Sequence, residues 1–89
     1  MRNRVCITGI GVVAPNGIGK EVFWESLVAG KSGIGSITRF DTSGLPCRIG
    51  GEVKGFEPGK YIDPEWKPAR RMALATQYGV AAARMAVDD

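Results

Sequence analysis

The chain has 89 residues, 44% of them hydrophobic and 24% charged, with a net charge of +3. This is the composition of one small globular unit. No apolar run approaches the roughly 20 residues that span a bilayer, and Arg2 and Arg4 precede no segment apolar enough for an export signal. Basic residues are not interleaved with aromatics in the manner of nucleic-acid binders, which sets nucleic acid aside as a partner.

The first element lies in Arg4–Gly17, RVCITGIGVVAPNG. Val5, Cys6 and Ile7 form a short apolar, β-branched run that predicts a strand buried on both faces, as in a parallel sheet covered by helices. Gly9 and Gly11 allow a sharp turn, and Pro15-Asn16-Gly17 ends the apolar signal. Residues 20–29 predict a helix with Phe23, Leu27, Val22 and Ser26 on one face and Gly30 at the left-handed cap position; Trp24 is read as a packing residue. Residues 31–47 show no period and predict a long loop with a turn near Ile37–Phe40. Residues 48–56 predict a strand in which Gly50 and Gly51 mark a bulge or a close backbone approach. Asp63-Pro64 suits the start of a helical turn, and Pro68 opens a helix to about Val87. That helix carries a small-residue stripe, Ala75, Gly79, Ala82, Ala83 and Ala86, suited to close packing inside a larger core.

Chemistry-bearing residues are sparse. Histidine is absent, which removes the commonest general base and metal ligand. Cys6 and Cys47 have neither metal nor CxxC spacing and read as reduced, structural thiols. Gly9-Ile-Gly11-Val-Val-Ala14 matches a dinucleotide fingerprint, but Pro15–Gly19 delay the helix and no acidic residue follows about 20 positions on. A phosphate loop ending at Gly19-Lys20 fails as well, because Ala14 and Glu21 replace its glycine and its hydroxyl. No cofactor is expected. The basic cluster Lys67, Arg70 and Arg71 sits at the predicted start of the last helix, where cations oppose the helix dipole. It is either a solvated helix end or a docking patch for an acidic partner.

TGIGVVAPNG, GKSGIGSITRFDTS and ARRM…TQYGVAAA, in this order, resemble the start of the elongating β-ketoacyl-acyl carrier protein synthases. Polyketide ketosynthases share the pattern more loosely. The resemblance covers essentially the whole chain. It implies an α/β fold, the N-terminal portion of a thiolase-like layered α/β/α/β/α architecture, with residues 1–89 a truncated segment of its first half. It also implies a decarboxylative Claisen condensation with malonyl-acyl carrier protein, using a cysteine and two histidines that lie beyond this stretch, so that no residue here is catalytic. Acyl carrier protein is the implied partner, and Lys67, Arg70 and Arg71 match the basic positions that face it. A homodimer in the cytoplasm, or in a plastid stroma, is implied for the full-length enzyme. Ala73 departs from the family pattern, which has an acidic residue there; the expectation is a lost buried charge partner. A non-catalytic carrier-docking module and a nucleotide-binding unit remain as alternatives.

Overall fold

A computed structural model describes residues 2–63 and 71–89. The described residues form two short β-ribbons, two α-helices and a 3₁₀ turn, and Gly33 and Gly51 approach the Pro15-Asn16 turn closely. Strand β1 (Val13–Ala14) pairs antiparallel with β2 (Gly17–Ile18) across the two-residue turn Pro15-Asn16. The turn chemistry was evident in the sequence; the hairpin was not, because four paired residues leave no alternating pattern to detect. Gly19 N–H donates to Val12 O (2.8 Å) and closes the ribbon just before helix α1 (Lys20–Val28). This hairpin occupies the place where a dinucleotide fingerprint would begin its helix.

Helix α1 ends as its sequence predicts. Gly30 adopts φ 69, Gly30 N–H donates to Leu27 O, and Lys31 N–H donates to Ser26 O. These are the two bonds of a Schellman cap, and they fix the backbone of Lys31. The inward face of α1 differs from the expected one. Ser26 is buried and Phe23 half-buried, whereas Leu27, Val22 and Trp24 are exposed. Ser26 is drawn in by a polar contact, its hydroxyl donating to Asn16 O at 2.6 Å.

The expected long loop contains a strand, β3 (Ile34–Ser36), which pairs antiparallel with β4 (Ile49–Gly51); Gly35 faces Gly50. Two glycines in register carry no side-chain signature, which explains why β3 was read as loop and why β4 is shorter than predicted. The expected close approach at Gly51 is present, with an added Cβ meeting Pro15 Cγ at 2.9 Å. After a 3₁₀ turn at Pro58–Lys60, helix α2 runs over Leu74–Asp88. It begins at Leu74, six residues beyond the predicted start; Pro64 and Pro68 lie outside the described residues.

The largest correction concerns the opening run. Residues 2–10 form no strand, and Val5 (91%) and Ile7 (86%) are almost fully exposed, as is Cys6. The neighbours that would cover both faces of such a strand are not supplied by the described residues. The glycines that follow are packed instead. A Cβ on Gly9 or Gly11 would overlap the carbonyl oxygens of Ala86 and Ala82, so the opening segment crosses α2 with backbone against backbone. Only Ala82 and Ala86 of the small-residue stripe serve this crossing; Ala75, Gly79 and Ala83 are exposed, and Ala81 is the fully buried position. Ile62 and Ala81 are the buried apolar residues among those described, and the radius of gyration is 16.1 Å. A compact chain of this length has a radius near 12 Å. Hence the described residues do not close a core around themselves. None of the described helices is long and apolar enough to cross a membrane.

Candidate functional site

Of the three cations singled out by sequence, Arg71 is exposed, while Lys67 and Arg70 lie outside the described residues. Arg71 precedes α2 rather than lying in its first turn, so the expected conflict with the helix dipole does not apply to it. The link into α2 is held by Gln77. Its side-chain amide donates to Met72 O (3.1 Å) and its backbone N–H donates to Ala73 O (3.0 Å). Ala73 itself is the N-cap residue, in extended geometry (φ −58, ψ 150), and is exposed. An acidic side chain at this position would sit where N-caps accept hydrogen bonds from the first helical N–H groups, and alanine leaves that role unfilled.

A polar network joins the β3–β4 ribbon to α2. Glu52 accepts from the Thr38 N–H, the Thr38 hydroxyl and the Arg39 N–H at 3.0–3.1 Å. These donors, Thr38 N–H foremost, hold its carboxyl below the ordinary range. The Arg39 guanidinium donates to Val53 O (2.8 Å) and to the Tyr78 hydroxyl (2.9 Å), and the Tyr78 bond chiefly raises its pKa. Phe56 packs edge-on against Tyr78 (4.9 Å between centroids) and parallel to Tyr61 (5.9 Å). Sequence reading missed this network, since Arg39, Glu52 and Tyr78 are scattered and each reads as an ordinary surface residue. At the other end of α2, Asp89 accepts from Ile10 N–H and pairs with Lys20, whose side chain chiefly lowers its pKa.

The thiols are not set up as nucleophiles by anything in the described structure. Cys6 is exposed without a recorded partner, and Cys47 is exposed with its Sγ donating to Ile49 O (3.4 Å). No group of three or more His, Cys, Asp or Glu side chains converges among the described residues.

Comparison with known proteins supplies the context for these elements. Residues 2–89 match the family described as "Beta-ketoacyl synthase, N-terminal domain". The 3-oxoacyl-[acyl-carrier-protein] synthase 2 of Synechocystis sp. is 41% identical over 88 residues, covering 99% of this chain and 21% of that protein. The tetracenomycin polyketide synthase ketoacyl synthase beta subunit of Streptomyces glaucescens is 45% identical over 85 residues, covering 96% of this chain and 20% of that protein. Among solved structures, the ishigamide ketosynthase/chain length factor superposes with a TM-score of 0.86 at 48% identity, covering 99% of this chain and 21% of that one. The chain thus spans about a fifth of the length of these relatives, and its fold is the N-terminal portion of their thiolase-like α/β architecture. The chain belongs to the β-ketoacyl synthase family, within whose N-terminal domain it lies.

Proposed function

We infer that residues 1–89 are the opening segment of the first half of a 3-oxoacyl-[acyl-carrier-protein] synthase, which elongates fatty acyl chains by decarboxylative Claisen condensation with malonyl-acyl carrier protein. The match to the family over residues 2–89, together with the superposition on a ketosynthase, carries this reading. The reaction needs a thiolate to take the acyl group and donors to stabilise the enolate left by decarboxylation. With no histidine in the sequence and both cysteines exposed, these 89 residues contribute scaffold and docking surface, while the reacting groups belong to the remainder of the enzyme. The test is decarboxylation of malonyl-acyl carrier protein coupled to acyl extension. The full-length enzyme is expected to catalyse it and residues 1–89 alone are not; turnover by the segment, free of host synthase, overturns the reading.

A polyketide ketosynthase is the second reading, favoured by the 45% and 48% identities to the tetracenomycin and ishigamide proteins. Extension of a poly-β-ketoacyl primer in preference to a saturated one selects it. Under the first reading the enzyme works in the cytoplasm, or in a plastid stroma, as a homodimer that receives its substrates on acyl carrier protein. Lys67, Arg70 and Arg71 dock that acidic carrier. Exposed pairs contribute about 0–1 kcal/mol each, so single changes weaken binding slightly. Reversing both arginines (Arg70→Glu, Arg71→Glu) turns attraction into repulsion and slows association at low salt, with the difference fading as salt is added. Unchanged low-salt association in the double variant overturns the docking role.

A further inference from the structure

One cavity is lined by none of the residues of the Arg39 network. It has a volume of about 330 Å³ and lies beside the Pro15-Asn16 turn, lined by the polar residues Lys31, Ser32, Lys54 and Asn16 and by the apolar Ile18 and Val22. Among the described residues no carboxylate lines it. Neither lysine forms an ion pair among the described residues, whereas Lys20, Arg39, Lys60 and Arg84 all do. Glu52 lines an adjoining cavity with Lys54, and its oxygens accept from Thr38 and Arg39.

The walls are held in place by the backbone. Lys31 N–H is fixed by the Schellman cap of α1. Gly33 lies so close to the turn that an added Cβ would stand 2.7 Å from Asn16 N and from Pro15 Cβ, and the Ser26 hydroxyl ties Asn16 O to α1. The two cations therefore line one cavity on a braced frame, together with Ser32, Asn16, Ile18 and Val22.

We propose that this cavity is a binding site for a phosphate monoester carrying a small apolar group. Two uncompensated cations match the dianionic head, Ser32 and Asn16 add hydrogen-bonding capacity, and Ile18 and Val22 cover the apolar body. The side chain of Ser32 already accepts from Ile34 N–H (3.0 Å), which leaves its hydroxyl proton directed elsewhere and available to an anion.

The test uses phenyl phosphate as the probe on the full-length protein, read by saturation transfer to the phenyl protons. Binding is expected, displaced by inorganic phosphate but not by chloride at equal ionic strength, with phenyl phosphate the tighter of the two. Replacing both lysines (Lys31→Gln, Lys54→Gln) weakens it about tenfold, as two exposed charge contacts allow. The arginine pair (Lys31→Arg, Lys54→Arg) retains it, which separates charge from any loss of fold; both variants are checked by thermal melting. An equal signal from phenol, or an undiminished one in the glutamine variant, overturns the site. Equal affinity for inorganic and phenyl phosphate overturns the ester assignment in favour of free phosphate.

Discussion

The two halves of the opening stretch meet different fates. Residues 4–8 hold the apolar run and stand in solvent, while residues 9–19 hold the glycines and the hairpin and are packed against α2 and α1. Hydrophobicity alone points to the opposite arrangement. The difference lies in how far away each half's partners are. A glycine crossing needs only one small-residue helix face, and Ala82 and Ala86 provide it within the chain. A strand buried on both faces needs neighbouring strands and two helical layers. The relatives are about five times longer than this stretch, which is the scale on which such partners are found.

The sharpest way to break this comparison is to substitute one residue from each half. At Gly11 an added side chain collides with the carbonyl of Ala82, a backbone atom that cannot rotate away. Gly11→Val is expected to cost about 3 kcal/mol or more, the upper end of overpacking effects. Val5→Ser, at a position 91% exposed, is expected to stay within about 0.5 kcal/mol in the isolated segment. Urea midpoints of the two variants measure the difference. A Val5→Ser cost above that of Gly11→Val in the isolated segment would mean that the opening run is the packed half. On the reading proposed above, the Val5 cost is expected to rise in the full-length protein, where a strand buried on both faces finds its neighbours.

The same contrast governs what was legible in the sequence. Helix α1, its glycine cap and the turn at Pro15-Asn16 follow from local signals, namely a stop residue and turn chemistry. The opening run was read as a buried strand, but residues 2–10 form no strand and Val5 and Ile7 are exposed, because the described residues hold no neighbours for its two faces. Strand β3 was missed since Gly35 pairs with Gly50 and neither contributes a pattern. The start of α2 was placed too early because Pro68 is a strong local start signal, while the observed boundary at Ala73 has no capping side chain to mark it. The family followed from motif order, but the cavity between Lys31 and Lys54 could not: residues 23 positions apart become neighbours only through the hairpin turn and the β3–β4 ribbon.

A smaller effect, of opposite sign, is expected at the start of α2. Ala73 is in N-cap geometry without a capping side chain, and the first turn contains no acidic residue. Ala73→Asp supplies an acceptor for the first helical N–H groups and a charge that complements the dipole. The expected gain is about 0.5–2 kcal/mol in the unfolding free energy, read as a higher thermal midpoint. Ala73→Asn should retain most of it, since the cap is chiefly a hydrogen bond. A neutral or negative effect of both variants would show that α2 does not begin at Leu74 in solution.

The smallest expected effect is the acid limb of stability, and it separates the packed region from the exposed one without altering its backbone. Glu52 is held below its ordinary pKa first by Thr38 N–H, and Asp89 first by the Lys20 side chain, with Ile10 N–H next. A carboxyl whose folded pKa is depressed binds its proton more readily when unfolded. Its contribution is therefore complete above the ordinary carboxylate range near pH 4, and is lost as pH falls through the lower folded values. Both groups are solvent-accessible, so the loss should be modest and should diminish in high salt. Glu52→Gln keeps an acceptor for Thr38 and Arg39 but removes the titration. Its thermal midpoint should lie slightly below the parent's at pH 7, and the gap should close as the pH is lowered through the folded pKa of Glu52. A gap that stays constant across that range would show that the hydrogen bonds of Glu52, and not its charge, hold the β3–β4 ribbon to Thr38 and Arg39.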